Sequence, residues 1–326
     1  MYDLDPALLH AYLRRLGFAS APPPTLHHLH LLQLRHSAAF AFETLSTLLH
    51  QPVPIDLPSV AHKLLVEGRG GYCYELNGLY LALLRHLGFD AQPLTARVLM
   101  GGPEDAQPAR THLMVRVRLQ GRDWLSDVGF GGMVPTAPLA LHEAGPQPTP
   151  HEPFRVESSD GPGDRSFLLR AWAGDSWRAL YRFDLDVPAP VDLAVGNWYV
   201  STHPDSPFLG KLVAARTGAF CRHTLRGGSY AVHRLGQASD HLCWPQGYFD
   251  ADYVAAARQA GFRHLYTTDP FGQNTPGADP AHIYRFAVRN RGGTWLNRRI
   301  WLSRDPFWGP RYHAWKAWKK RLRNRG

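Results

Sequence analysis

The spacing of apolar residues changes near residue 90, and this change limits the fold more than any other feature of the chain. Before it, apolar residues recur at helical spacing; after it, they alternate. Asp5 caps a first helix, Pro6 suits its first turn, and Gly17 stops it. Leu8, Leu9, Tyr12, Leu13 and Leu16 share one face of that helix. After the break at Pro22 to Pro24, the stretch from Thr25 to about Leu49 reads as one or two helices, and Ala61 to Val66 as another helical piece. Gly70-Gly71 breaks the chain before a helix from Cys73 to Leu87, which Gly88 terminates. Leu94 to Met100, Leu113 to Leu119 and Trp124 to Val128 then read as strands, with a hairpin turn at Gly121-Arg122. Phe167 to Trp172, Trp177 to Phe183, Leu212 to Thr217 and Tyr230 to His233 add further strand-like pieces, and Asp252 to Gly261 a late helix. Helices followed by runs of strands predict an α+β fold.

A chain of 326 residues has room for two or three domains. Its 44% hydrophobic content permits a sizeable core. No apolar run reaches the ~18 residues that span a bilayer. The N-terminal MYDLDPALLH lacks the basic-then-apolar order of a signal peptide. These features predict a soluble cytoplasmic protein with no membrane span. Three cysteines, Cys73, Cys221 and Cys243, with no CxxC pair, argue against both a disulfide framework and a cysteine-built zinc site.

Arg69-Gly70-Gly71-Tyr72-Cys73-Tyr74-Glu75-Leu76-Asn77-Gly78 is the most informative stretch for chemistry. A cysteine at a helix start feels the field of unpaired N–H groups, which favours thiolate over thiol. The same N–H groups can donate to an oxyanion when the sulfur attacks a carbonyl. Read alone, Cys73 is equally a small buried hydrophobe. A cysteine nucleophile needs a histidine to exchange its proton and a carboxylate to orient that histidine. His112, before the strand Leu113 to Leu119, and Asp127, at the end of Trp124 to Val128, are the candidates. A turn at Gly121-Arg122 would pair Arg116 with Asp127 and leave His112 about 14 Å further along, at ~3.4 Å per residue. A bulge or a different arrangement must then bring them together.

Several blocks in order give the chain its resemblance to the arylamine N-acetyltransferase family. Arg69, Gly70, Gly71, Cys73, Glu75 and Asn77 match the family hallmark Arg-Gly-Gly-x-Cys-x-Glu-x-Asn. His112 and the Asp127-to-Gly131 segment, Asp-Val-Gly-Phe-Gly, match its histidine and aspartate blocks. Upstream, His36 and Phe42-Glu43 look like its histidine and Pro-Phe-Glu-Asn; downstream, Asn197, Tyr199 and Ser201 to Phe208 fit too. Ala41 and Thr44 stand where the family has Pro and Asn. The likeness covers about residues 1–270.

The resemblance implies an α+β fold with an N-terminal helical bundle, a central β-barrel-like domain, a C-terminal α/β lid and a cysteine-protease-like catalytic core. The corresponding division is 1–90, 91–205, 206–284 and a basic extension at 285–326. It implies Cys73, His112 and Asp127 as a catalytic triad. Cys73 would take an acetyl group from acetyl-coenzyme A, a co-substrate rather than a tightly bound cofactor, and pass it to an arylamine or arylhydrazine. Phe130 and Gly131 would lie beside the acceptor pocket, and Glu43 and Arg69 would form a buried ion pair bracing the Cys73 loop. Rival readings are an amide synthase using a carrier-bound polyketide and an aromatic amine, and a cysteine hydrolase or transglutaminase-like enzyme.

Residues 285–326 carry 13 Lys or Arg against the single Asp305, and five of the ten tryptophans. This basic segment could attract coenzyme phosphates, dock an acidic acyl-carrier protein, or touch a nucleic-acid or membrane surface. A solvated helix with its tryptophans packed on the body is the first reading, and no nucleic-acid partner is expected. His27, His28, His30 and His36 have no accompanying carboxylates, so they read as core or surface histidines and no metal site is expected.

If Glu43 and Arg69 brace the loop, Arg69→Met should lower both the melting temperature and the acetyl-transfer rate. Breaking a fully buried pair costs about 3–5 kcal/mol. Unchanged melting and rate in Arg69→Met would remove the brace.

Overall fold

The structure, a computed structural model, describes residues 4–159 and 166–234, then 241–243, 251–259, 264–266 and the single positions 279, 283, 311, 314 and 315. Met1–Leu235 and Gly236–Gly326 are separate compact units. In the first, α1 (Pro6–Arg15) begins at Asp5, whose carboxylate accepts the Ala7 N–H at 2.8 Å. The stretch from Thr25 to Leu49 is not continuous helix. It forms α2 (Leu26–Ala39), a two-residue strand β1 (Phe42–Glu43) and the short α3 (Leu45–Leu48). Next come α4 (Leu57–Ala61), a π-helical turn at His62–Val66, and α5 (Cys73–His86).

Seven antiparallel strands follow the change of period. They are β2 (Asp90–Val98), β3 (Arg110–Leu119), β4 (Arg122–Ser126), β5 (Leu139–Ala140), β6 (Phe154–Ser158), β7 (Phe167–Ala173) and β8 (Ser176–Phe183). Their order in the sheet is β5-β4-β3-β2-β8-β7-β6. The edge strands β5 and β6 are joined by Gln147. Its backbone pairs with Phe154, and its side-chain amide both accepts from and donates to Ala140, each at 2.8 Å. The sheet is thus a nearly closed barrel. After it, α6 (Pro190–Thr202) precedes β9 (Val213–Thr217), β10 (Cys221–Arg226) and β11 (Ser229–Arg234), which with β1 make a second sheet in the order β1-β9-β10-β11.

Strand β3 separates two cores. Leu113, Val115 and Val117 point to the helices, into a cluster with Leu29, Leu32, Leu79, Tyr80 and Leu83. Met114 points the other way, into the barrel, with Leu94, Leu125, Leu139, Phe154, Leu169 and Tyr181. Burying both faces explains why the alternation in this strand is weak at His112 to Val115, all four of which are buried.

The β3–β4 register corrects the sequence expectation. Leu119 pairs with Arg122, so the turn is Gln120-Gly121 rather than Gly121-Arg122. Both turn residues have positive φ, 53° and 74°, as a type I′ turn requires. The one-residue change at the turn moves the register by two. The position opposite Asp127 becomes Met114, and the offset to His112 halves to about 7 Å. The predicted bulge exists, but between β2 and β3: Ala96 faces His112 and Arg97 faces Arg110, so Thr111 is the extra residue.

In the second unit, β12 (His241–Cys243) and β13 (His264–Tyr266) pair in parallel, and α7 (Ala251–Gln259) lies between them in sequence, near the expected late helix. Apart from positions 311, 314 and 315, the basic segment 285–326 lies outside the described residues. Among the described residues, no helix is long and apolar enough to cross a membrane.

Gln120 occupies a left-handed position that asparagine tolerates better. Gln120→Asn should therefore stabilise the protein by about 0.5–1 kcal/mol, read as a raised denaturation midpoint.

Candidate active site

Cys73 is the first residue of α5 and is buried. The helix starts here because the chain before it is extended at Tyr72, whose N–H is taken by the Glu75 carboxylate at 3.1 Å. The thiol reaches the carbonyl of Thr111, the bulged residue of β3, at 3.6 Å. The bulge therefore serves the site directly, because it turns a carbonyl out of the ladder and toward the sulfur.

His112 follows Thr111. Its Nε2 lies 2.7 Å from Asp127 Oδ2, and its ring lies close enough to Cys73 for the sulfur to bear on its charge. The structure thus brings together the three residues singled out in the sequence. Asp127 has no solvent exposure and receives four donors. Tyr181 O–H (2.9 Å) and His112 bind Oδ2; Asn77 Nδ2 (2.9 Å) and the Gly129 N–H (2.8 Å) bind Oδ1.

The electrostatics follow from this arrangement. Burial opposes a charged His112, but the Asp127 charge, its hydrogen bond and the contact with Cys73 outweigh burial and raise the imidazole to about 10. Burial pushes the Asp127 carboxyl up. The His112 charge and the hydrogen bonds from His112, Asn77 and Gly129 oppose it and hold the carboxyl below its usual range. The stable form of the pair is imidazolium with carboxylate.

Asn77 stands one helical turn after Cys73 and joins three elements. Besides Asp127, its Nδ2 donates to Leu113 O at 2.7 Å, and its Oδ1 accepts the Val128 N–H at 3.0 Å. Gly129 lets the chain pass between them: a Cβ there would lie 2.9 Å from Cys73 Cα and 2.6 Å from Asn77 Nδ2. Gln33, fully buried on α2, pins the same loop from behind. Its amide nitrogen faces the carbonyls of Asp127, Pro135 and Ala137 at 3.3, 2.8 and 3.0 Å, while its oxygen accepts from Ser126.

Phe130 packs edge-on against His112 at 5.0 Å and against Tyr181 at 4.9 Å. Gly131 begins a short 3-10 turn and backs onto the Phe42 ring. Arg69 Nη2 meets Glu43 Oε1 at 2.8 Å, but 29% of the Arg69 side chain is exposed against 13% for Glu43. The pair is buried at the carboxylate end only, so the cost of breaking it lies below that of a fully buried pair. Among the metal-site candidates considered in the sequence, His36 is fully buried among Tyr12, Phe40 and Tyr80. Its burial, together with the nearby charge of Arg15, depresses it to about 3.

Sequence reasoning missed Gln33 and Tyr181. Gln33 left a signal, a polar residue on the buried stripe of α2 with Leu29, Leu32 and His36. Tyr181 left none, because a tyrosine in a barrel strand is ordinary core until Asp127 is placed beside it.

The chain is similar to several known proteins. A family model described as N-acetyltransferase matches residues 25–246. An arylamine N-acetyltransferase of Mycolicibacterium smegmatis is 42% identical over 239 residues, which cover 72% of this chain and 85% of the relative. One from Mycobacterium bovis is 41% identical over 233 residues, 70% of this chain and 81% of the relative. The solved structure of the Mycobacterium marinum arylamine N-acetyltransferase in complex with CoA aligns with a TM-score of 0.65 at 41% identity, covering 69% of this chain and 83% of that one.

Tyr181→Phe removes one of the two donors to Asp127 Oδ2 while keeping the ring. A hydrogen bond to a charged group supports about 1.5–3 kcal/mol, so the variant's denaturation midpoint should fall accordingly. A midpoint equal to wild type would show that Asp127 does not depend on this hydroxyl.

Proposed function

This chain belongs to the arylamine N-acetyltransferase family, and on that premise we propose that it moves an acetyl group from acetyl-coenzyme A to an arylamine or arylhydrazine through an acetyl-Cys73 intermediate. The observation that carries this reading is the buried His112–Asp127 pair at 2.7 Å with the Cys73 thiol on the carbonyl of the neighbouring Thr111 at 3.6 Å. An imidazolium kept charged by a buried carboxylate is the natural counter-ion for a thiolate.

In the first half-reaction the Cys73 sulfur attacks the thioester carbonyl and a carbon–sulfur bond forms. In this reading the developing oxyanion takes donors from the first N–H groups of α5. The intermediate collapses by expelling the coenzyme thiolate, which takes the proton held by His112. The ring is now neutral. In the second half-reaction the amine nitrogen attacks the acetyl-cysteine. His112 accepts the proton that nitrogen loses, and the Cys73 thiolate departs beside a restored imidazolium. The exchange between thioesters is nearly balanced, and formation of the amide makes the cycle run forward. Asp127 stays ionised throughout, because its four donors suit a carboxylate rather than a carboxylic acid.

Phe130 contributes an aromatic wall next to His112, which suits a flat aromatic acceptor. Glu43 and Arg69 support the loop that delivers Cys73. The similar solved structure in complex with CoA supports a coenzyme thioester over a carrier-bound acyl donor.

Incubating the protein with acetyl-coenzyme A alone and measuring intact mass tests the intermediate. Wild type should gain one acetyl group and Cys73→Ala none, and an arylamine should then discharge the adduct. A wild-type protein that stays unacylated while its thiol remains reactive to alkylation would overturn the acetyl-coenzyme A assignment.

A further inference from the structure

Lys63 lies outside every motif block and yet reaches the loop before Cys73. It is placed by a local irregularity. After α4 the chain widens into the π-helical turn His62–Val66, with the Glu67 N–H bonded to the His62 carbonyl at 3.0 Å. Single π turns inside helical segments are uncommon and occur often at functional sites. The wider turn carries the Lys63 ammonium inward, leaving its side chain 14% exposed. Nζ lies 2.5 Å from Glu75 Oε1 and 4.0 Å from Glu43 Oε1.

Glu75 is the more demanding partner, because only 2% of its side chain is exposed. Its second oxygen accepts the Tyr72 N–H, the last backbone donor before Cys73. Glu75 also lies flat against the loop. A Cβ on Gly71 would come within 2.8 Å of Glu75 Oε2 and 2.9 Å of its Cβ, so a shift of the carboxylate is felt by the loop backbone. With Arg69 on Glu43, the charges alternate in one chain: Arg69, Glu43, Lys63, Glu75. The chain runs from a half-exposed end to a buried end and flanks the segment that delivers the nucleophile.

We infer that Lys63 is a positioning residue for the acyl-accepting thiol: its ammonium holds the Glu75 side chain against the Tyr72 N–H, and so keeps Cys73 in register with His112. The inference rests on the reading of Cys73 as the acetyl acceptor. Burial pushes Glu75 upward, and the charge of Glu43 adds to that push. The Lys63 charge, its hydrogen bond and the Tyr72 N–H oppose them, and burial leaves the carboxyl above its usual range. The ionisable groups facing Glu75 are Lys63 from the π turn, Glu43 from β1 and the Tyr72 phenol. Lys63 is the only cation among these three. Without it, the upward push of burial and of the Glu43 charge on this carboxyl meets no cation among these groups. A neutral acid is a weaker acceptor for the Tyr72 N–H.

The test uses Lys63→Met, Lys63→Arg and the double variant Lys63→Met/Glu75→Gln in the full chain. Single-turnover acetylation of Cys73 is followed by intact mass across pH, alongside iodoacetamide alkylation of the thiol and thermal melting. A small displacement of a reacting group costs on the order of tenfold or more in rate, so Lys63→Met should acetylate about tenfold more slowly. Its half-saturating acetyl-coenzyme A should not change. Its rate should gain a new rise with pH, absent in wild type, as Glu75 ionises. Lys63→Arg should restore most of the rate, and the double variant should lose the new pH limb. The inference is overturned if Lys63→Met keeps the wild-type rate and pH profile, or if all three variants slow equally. Lys63→Gln replaces the Met variant should that one fail to fold. If wild type itself is not acetylated, the alkylation rate decides: dependence on Lys63 supports the inference and independence sinks it.

Discussion

A carboxylate with no access to water is expensive to bury unless every lone pair is met, and Asp127 is the point on which this site depends. Its four donors come from four places in the chain: Asn77 on α5, His112 on β3, Gly129 on its own loop and Tyr181 on β8. Satisfying one anion therefore fixes the nucleophile helix, the histidine strand, the following loop and the far side of the barrel relative to one another. The imidazolium follows from the anion, and the chemistry proposed for Cys73 follows from the imidazolium.

The two cores on either side of β3 give that anion its rigid support. The helical core holds α5 against Leu113, Val115 and Val117, so the start of the helix is set by packing several residues away from the sulfur. The barrel core holds Tyr181 and Met114 on the opposite face. The site sits where β3 leaves regular pairing. There Thr111 is squeezed out of the ladder, its carbonyl turns to the sulfur, and the next side chain reaches Asp127. Regular structure supplies the stiffness, and the irregularities supply the aim. The π turn at Lys63 is a second example.

Much of this was legible in the sequence. The change of apolar period located the boundary between helices and sheet. Asp5, Gly17 and Gly88 marked helix ends by local chemistry that needs no tertiary context. Cys73, His112 and Asp127 were visible as candidate chemistry, and the ordered family blocks raised them above their ordinary readings. Their contact was not derivable. It depends on which two residues form a turn, and Gln120 at positive φ gives no compositional warning. Gln33 and Lys63 were hidden for a different reason: a polar side chain on a helix reads as solvated until its acceptors are placed. α6 was missed because much of its apolar surface, including Val191, Val195 and Trp198, faces outward and so blurs the one-sided pattern of a packed helix.

The Gln147 closure also says where the barrel is weakest. Elsewhere adjacent strands share ladders of two to eight paired residues, but β5 and β6 are joined through one residue's backbone and amide. Local opening starts where the fewest interactions must break together. The β5–β6 seam is therefore the place for the first native-state fluctuation of the sheet, and its amides should exchange with solvent ahead of those in β2 and β3. The seam lies on the far side of the sheet order from the β2–β3 pair. Breathing there can relieve the closed barrel without disturbing the bulge that holds Thr111 and His112 in place.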